Sequence, residues 1–183
     1  MNDHKGFFAM MARMKYIERW ALMRNSVSEN ICEHSLEVAM LAHGLGIIGR
    51  KRFGKDLSPE RLAMLGMYHD CTEIITGDMP TPVKYANDEL KEAYKAIEDS
   101  AAHRLLEMLP EDLRAEYESY FLPEQITPEE YRYVKAADKL SALIKCIEEE
   151  KTGNQEFRSA KQATYESLQQ MNMPEVTVFC EVF

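Results

Sequence analysis

TPEEYRYVKAADKLSALIKCIEEEK, residues 127–151, decides the fold class. Thr127 with Glu130 three positions later forms a capping box, and Pro128 stands in the first turn, where a missing backbone N–H costs nothing. The helix opened there is predicted to run to Lys151, ahead of Thr152-Gly153. Inside it, Asp138 lies between Ala136-Ala137 and Leu140, small and apolar residues that belong in an interior. The same signals recur upstream. Ser58 caps and Pro59 opens a helix that passes Leu62, Leu65 and Gly66 and ends near Asp70. A further helix is predicted over about 30–49, with Leu36, Ala39, Met40 and Leu45 among its apolar positions, followed by a basic loop at 50–57 that contains Gly54.

Toward the N-terminus, Phe7, Met10, Met11, Met14, Ile17 and Ala21 recur at three- and four-residue spacing, which predicts one amphipathic helix before the polar stretch 24–28. Helices are also predicted over about 87–109, 110–121 and 155–171, with Pro174 stopping the last. Gly77-Asp78-Met79-Pro80-Thr81-Pro82 is read as an ordered loop, because prolines there remove donors and clash with a helix. The tail Val176-Thr177-Val178-Phe179 has strand-like composition but no evident partner strand. With no internal repeat and no boundary signal, the expectation is an all-α, single-domain helical bundle over residues 1–183.

Composition narrows the function classes. A chain 45% hydrophobic and 29% charged reads as a soluble globular protein, and no uninterrupted apolar run reaches membrane-spanning length. The N-terminal stretch mixes Lys5, Arg13 and Lys15 into its apolar residues, so it does not resemble an export signal, and a cytoplasmic location is expected. The cysteines at 32, 71, 146 and 180 form no C-x-x-C pair and are read as reduced thiols, mostly in the core. A net charge of -9 disfavours a nucleic-acid polymer as partner, yet leaves room for a small phosphate substrate held by a metal and one or two arginines.

Three short segments carry chemistry: Glu33-His34-Ser35, Tyr68-His69-Asp70-Cys71-Thr72-Glu73, and Lys135 to Leu140. Each sets an imidazole or carboxylate among residues that should face inward, and buried carboxylates are costly unless paired or metal-bound. His34, His69, Asp70 and Asp138 make a nitrogen and oxygen set suited to one divalent transition ion rather than calcium. Four protein ligands leave room for water and a phosphate oxygen only at five- or six-coordination. His69 and Asp70 point about 100° apart on a regular helix, so both serve one ion only if the helix ends there. His43 follows His34 by nine positions, about 180° around the helix, and cannot join it. His43 and His103 are expected to be hydrogen-bonded core residues. A structural zinc site of Cys32, His34, His69 and Cys71 is the competing metal reading, although its spacing fits no common zinc motif.

The surrounding text is more specific. Arg19-Trp20-x-Leu22-Met23-Arg24-Asn25, Glu33-His34-Ser35, Tyr68-His69-Asp70-x-x-Glu73, the run Thr76 to Tyr85 and Ala137-Asp138 together resemble the HD-domain metal-dependent phosphohydrolases, and within them the bacterial YfbR-type 5'-deoxynucleotidases. The similarity weakens after about Met171. The resemblance implies hydrolysis of deoxyribonucleoside 5'-monophosphates, with one divalent ion, Co or Mn, on His34, His69, Asp70 and Asp138. It implies Glu73 as catalytic carboxylate and Arg19 as phosphate-orienting residue. Asp78, Met79, Pro80 and Thr81 would line the sugar and phosphate pocket, Trp20 would press on the 2' carbon, and the protein would be a homodimer. Simple packing for Trp20, and a surface ion pair of Arg19 with Glu18 or another acid, stay open from the residues alone. So do another nucleotide substrate and a non-catalytic nucleotide-binding regulator. Cys71 departs from the family's expected small residue, and a thiol beside the metal would make activity sensitive to oxidation.

Overall fold

The computed structural model describes residues 6–84 and 86–183; Lys5 and Tyr85 of the sequence analysis lie outside them. The chain order is α1 (Phe7–Met11), α2 (Ile31–Phe53), α3 (Pro59–Tyr68), α4 (Glu73–Thr76), α5 (Thr81–Lys84), α6 (Asp88–Leu106), α7 (Glu111–Phe121), α8 (Pro128–Lys151), α9 (Arg158–Gln170) and α10 (Pro174–Val182). Short 3-10 turns precede α8 and α9 and follow α1. Among the described residues the extended pairing is a single antiparallel bridge, Glu18 to Asn30. The architecture is all-α.

The two central helices are locally specified. At the start of α2, the Asn30 side chain accepts from the Cys32 and Glu33 amides at 3.0 and 3.1 Å, while Glu33 accepts from the Asn30 amide at 3.3 Å. Helix α8 repeats the device: Thr127 accepts from the Glu130 amide at 3.2 Å and Glu130 from the Thr127 amide at 2.9 Å. One core joins α2, α3 and α8 through Val38, Ala42, Leu45, Leu62, Leu65, Tyr133, Ala137 and Leu140. A second, built on Phe7, Ile31, Cys71, Ile74, Leu105 and Phe121, ties α6 and α7 to the N-terminal segment. Each such fully buried Leu or Ile contributes about 1.5–3 kcal/mol of burial. Gly66 allows α2 and α3 to touch: a Cβ there would stand 3.0 Å from the Ala39 Cα and amide nitrogen.

Several expectations are corrected. The N-terminal stripe is not one helix: α1 gives way to a 3-10 turn over Ala12–Tyr16, Ile17 is extended, and the chain pairs with residues 29–31 instead. Phe7 and Met14 from that stripe are buried, whereas Ala21 is exposed. Helix α2 continues four residues past its expected end, because Arg50, Lys51 and Arg52 favour a helix C-terminus and Gly54 closes it at φ 65°. Leu36 and Met40 lie on its exposed face, not in the core. The α2 segment is long and apolar enough to cross a membrane, with mean hydropathy 1.2, although Glu33 and Glu37 interrupt the run. Its Val38, Ala42 and Leu45 are wholly covered by protein. Part of the 77–82 loop is helical, as α5. The tail is helical too, since Pro174 suits a first turn and packing on α2 overrides its β-branched composition. His103 is exposed and His43 only half-buried, while Cys32 and Cys180 are exposed and Cys71 and Cys146 buried.

Glu149, near the end of α8, anchors the segment that leads into α2. Its carboxylate accepts from the Ser26 amide at 2.8 Å, the Asn154 amide group at 2.8 Å and the Lys145 ammonium at 2.6 Å. Burial alone would raise its pKa, but these donors outweigh burial and hold it well below the ordinary carboxylate range. Removing one partner of a buried charge costs about 3–5 kcal/mol. Glu149→Ala is therefore expected to lose about 3 kcal/mol in urea unfolding at pH 7. A depressed carboxyl pKa gives stability that is full above the unfolded value of 4.5 and fades as pH falls below it. The gap between parent and variant should accordingly narrow on acidification below that pH.

Candidate metal centre and active site

Three elements bring the metal-ligating candidates together. His34 comes from the first turn of α2, His69 and Asp70 from the turn after α3, and Asp138 from the middle of α8. The helix ends at Tyr68, and the Cys71 and Glu73 amides bond to the Tyr68 and Asp70 carbonyls at 3.1 and 3.0 Å, tight turns that let His69 and Asp70 converge. His34, His69 and Asp70 each offer a donor atom within 4.8 Å of the other two. Asp138 closes the group: its Oδ1 lies 3.3 Å from His34 Nε2, and Asp70 Oδ2 lies 3.5 Å from the same nitrogen and 3.1 Å from His69 Nε2.

The hydrogen bonds behind the imidazoles favour a metal. His69 Nδ1 donates to the Gly66 carbonyl at 2.7 Å, which leaves a lone pair on Nε2. The Ser141 hydroxyl donates to Glu37 at 2.9 Å, so its oxygen accepts from His34 Nδ1 at 3.0 Å and again leaves Nε2 basic. Both Nε2 atoms are buried without a hydrogen-bond partner and face carboxylates. Orphaned buried nitrogens are costly, and an ion shared by them and Asp70 and Asp138 would satisfy all four. Two imidazoles and two carboxylates fit a divalent transition metal. Among the described residues the metal-binding group contains no cysteine, and Cys32 is exposed, so the Cys-containing zinc alternative is not assembled. Cys71 is packed in the second core, and burial pushes its thiol up, away from a reactive thiolate.

Electrostatics sort the carboxylates. In the metal-free protein burial works against ionisation of Asp70, but positive charge on His69 and His34, where an ion would otherwise sit, outweighs it and holds its carboxyl well below the usual range. Asp138 is likewise held down, against burial, by Lys135 and His34. Its charge in turn raises the Lys135 ammonium, whose Nζ is 3.3 Å away. Glu73 behaves oppositely. Burial, then Asp70 and Asp78, push it up to about 10, and its Oε2 is buried without a partner. Asp78 is raised by burial, with Arg19 lowering it and Asp70 raising it further. Its loop is positioned by Gly77, at φ 74°, and by the Tyr94 hydroxyl, which donates to the Gly77 carbonyl at 3.1 Å. Asp78, Met79 and Pro80 are half-buried, and Thr81 is exposed at the start of α5.

Arg19 reaches the site from the segment between α1 and α2, and Trp20, next in the chain, is linked to it through Glu29, whose carboxylate accepts from the indole N–H at 2.6 Å and lies 3.4 Å from His34 Nδ1. The Arg19 amide donates to the Glu29 carbonyl at 2.8 Å and the Ile31 amide to the Ile17 carbonyl at 3.0 Å, which presents Arg19 to the metal-ligating group. Its guanidinium Nη1 stands 3.5 Å from Asp70 Oδ2. The surface ion pair with Glu18 is thus replaced by buried partners. The Trp20 ring packs on Phe157 at 5.2 Å between centroids. Two residues of the site escaped sequence reading, Glu29 and the charge of Lys135. Glu29 lay in a polar stretch with no periodic signal; Lys135 could have been found as the residue one turn before Asp138.

The YfbR-like 5'-deoxynucleotidase family matches residues 6–183. A 5'-deoxynucleotidase of Vibrio cholerae is 48% identical over 97% of this chain and 91% of its own length. The 5'-deoxynucleotidase YfbR of Shigella boydii is 46% identical over 97% and 89%. Among solved structures, an HD-domain phosphohydrolase of Listeria innocua superposes with a TM-score of 0.84 at 22% identity, over 97% of this chain and 85% of that one. The cyanophage S-2L HD phosphohydrolase, solved bound to dA and one catalytic Zn2+ ion, gives 0.66 at 21% identity over 94% and 93%. The convergence of a histidine, a His-Asp pair and a distant aspartate, and relatives this similar over nearly the whole chain, lead to one assignment. The chain belongs to the YfbR-like 5'-deoxynucleotidase family, is a phosphoric monoester hydrolase, and shares the fold of the HD-domain phosphohydrolases.

Proposed function

We propose that this enzyme hydrolyses deoxyribonucleoside 5'-monophosphates to deoxynucleoside and phosphate and rejects the ribonucleotides. The observation that carries this reading is the seating of Arg19 beside the candidate metal ligands, its Nη1 3.5 Å from Asp70 Oδ2, with Trp20 next to it in the chain and tied to the same Glu29. The relatives named 5'-deoxynucleotidase support it, as does the dA bound to the cyanophage HD phosphohydrolase.

His34, His69, Asp70 and Asp138 would hold one divalent ion, Co or Mn or a chemically similar ion such as Zn. When bound, that ion supplies Lewis acidity at a phosphate oxygen and lowers the pKa of a water. Arg19 grips the phosphate through its planar donor fork, which a lysine would not reproduce. With the ion's positive charge nearby to draw Glu73 back to its ionised form, its carboxylate would take up the proton of the attacking water and pass it to the departing 5' oxygen. Asp78 accepts a hydrogen bond from the sugar hydroxyl, and Met79, Pro80 and Thr81 line the sugar and phosphate pocket. The Trp20 ring fills the space a 2' hydroxyl would need. We further propose a cytoplasmic homodimer; four free thiols favour a reducing compartment, and light scattering should return twice the chain mass of 21.2 kDa.

Phosphate release from dAMP, dGMP, dTMP and AMP, each with Co, Mn or Zn, tests the reading. The expected result is free phosphate, not pyrophosphate, from the deoxynucleotides and little from AMP. Trp20→Ala should cut the dAMP-to-AMP ratio of kcat/KM by about 100-fold, the scale on which a shaped pocket discriminates a single group. Equal rates of the parent on dAMP and AMP would sink the proposal.

A further inference from the structure

Trp20 holds a backbone conformation that its side chain disfavours. Its φ is 59°, in the left-handed region, which is strained for a bulky residue. Such a residue persists only where its surroundings over-determine it. Phe157 supports the ring, the Met23 amide donates to the Trp20 carbonyl at 2.9 Å, and Asn25 Nδ2 reaches the same oxygen at 3.5 Å. None of these fixes the rotation of the indole about its own face. The indole N–H does: it donates to Glu29 Oε2 at 2.6 Å.

Glu29 is 9% exposed, and its two oxygens are divided between tasks. While Oε2 holds the indole, Oε1 lies 3.4 Å from Arg19 Nε and 3.4 Å from His34 Nδ1. Its backbone carbonyl also accepts from the Arg19 amide at 2.8 Å. A carboxylate so enclosed needs a cation, and Arg19 supplies one. A charge-assisted bond to the indole is correspondingly strong and directional.

We propose that Glu29 is the positioning residue for sugar specificity: its single carboxylate locks the Trp20 indole in place and ties it to Arg19, so that both meet a nucleotide as one rigid unit. The inference rests on the reading that Trp20 faces the sugar and Arg19 the phosphate. Glu29 itself touches no reacting atom.

Trp20 is the only tryptophan of the chain, so intrinsic fluorescence reports on it alone. In metal-free protein without nucleotide, Glu29→Ala is expected to shift the emission to the red and to increase acrylamide quenching. The same variant should lower the dAMP-to-AMP ratio of kcat/KM by about tenfold or more. Glu29→Asp, which keeps the charge but withdraws it by one methylene, should move both readouts the same way, by about threefold or more in the ratio. Glu29→Gln keeps an acceptor for the indole but loses the charge facing Arg19. It should hold quenching near the parent and the ratio within about threefold, while KM rises for both nucleotides. Unchanged quenching in Glu29→Asp and Glu29→Ala overturns the proposal, as does altered quenching with an unchanged ratio. Trp20→Ala tells the failures apart. If it too leaves the ratio unchanged, the sugar-facing reading of Trp20 falls; if it alone lowers the ratio, only the role of Glu29 falls.

Discussion

Asp138→Ala is expected to lower phosphate release from dAMP by about a thousandfold or more, the scale of losing metal-assisted nucleophile generation. Asp138 enters the metal group from α8, and its Oδ1 is 3.3 Å from His34 Nε2. Without it, α2 and the turn after α3 would still supply His34, His69 and Asp70, but one anionic donor would be missing and Lys135 would lose its carboxylate partner. Metal content after dialysis, measured by mass spectrometry, should fall with activity. Helical circular dichroism should persist, because the cores around Leu45, Leu65 and Leu140 do not depend on that carboxylate. A variant that keeps full activity and full metal content would remove Asp138 from the ligand set.

Glu73→Gln is expected to separate chemistry from metal binding. Activity should drop by about 100-fold to 10,000-fold, the range of a lost acid-base group, while metal content stays at the parent level. The same variant should be more heat-stable than the parent in metal-free form. Glu73 is buried, faces Asp70 and Asp78, and has one oxygen without a partner, so its carboxylate is a liability to the empty fold. Equal activity, or a melting temperature lowered in the metal-free protein, would mean that Glu73 serves packing instead.

Legibility in the sequence followed locality. Ser58-Pro59 and the Thr127 box announce their helices because a cap is written within four residues, and both open where expected. The segment 7–21 misleads for the opposite reason. Its apolar spacing suits a helix, but residues 17–19 pair with residues 29–31, a contact no local period records. Composition likewise favoured a strand at Val176 to Phe179, where Pro174 and the surface of α2 impose a helix. The site divides along the same line. His-Asp adjacency at a helix end is written locally and Asp138 is marked by its apolar setting, whereas the approach of Asp138 to His34 spans α2 and α8 and shows only in the fold. Glu29 was invisible because its importance lies entirely in what surrounds it: an indole, a guanidinium and an imidazole that come from elsewhere in the fold.

The bare backbone of Gly66 has a consequence for the metal. No side chain separates α3 from α2 there, and the same residue's carbonyl ties back His69 Nδ1 at 2.7 Å. On the opposite side, Ser141 ties back His34, and the two imidazole centroids stand 5.2 Å apart. The span between the nitrogens is therefore braced from both sides, by the Gly66 main chain and by the Ser141 hydroxyl. A site braced in this way is expected to bind divalent ions of large radius more weakly than small ones, which competition between ions of different radius would measure.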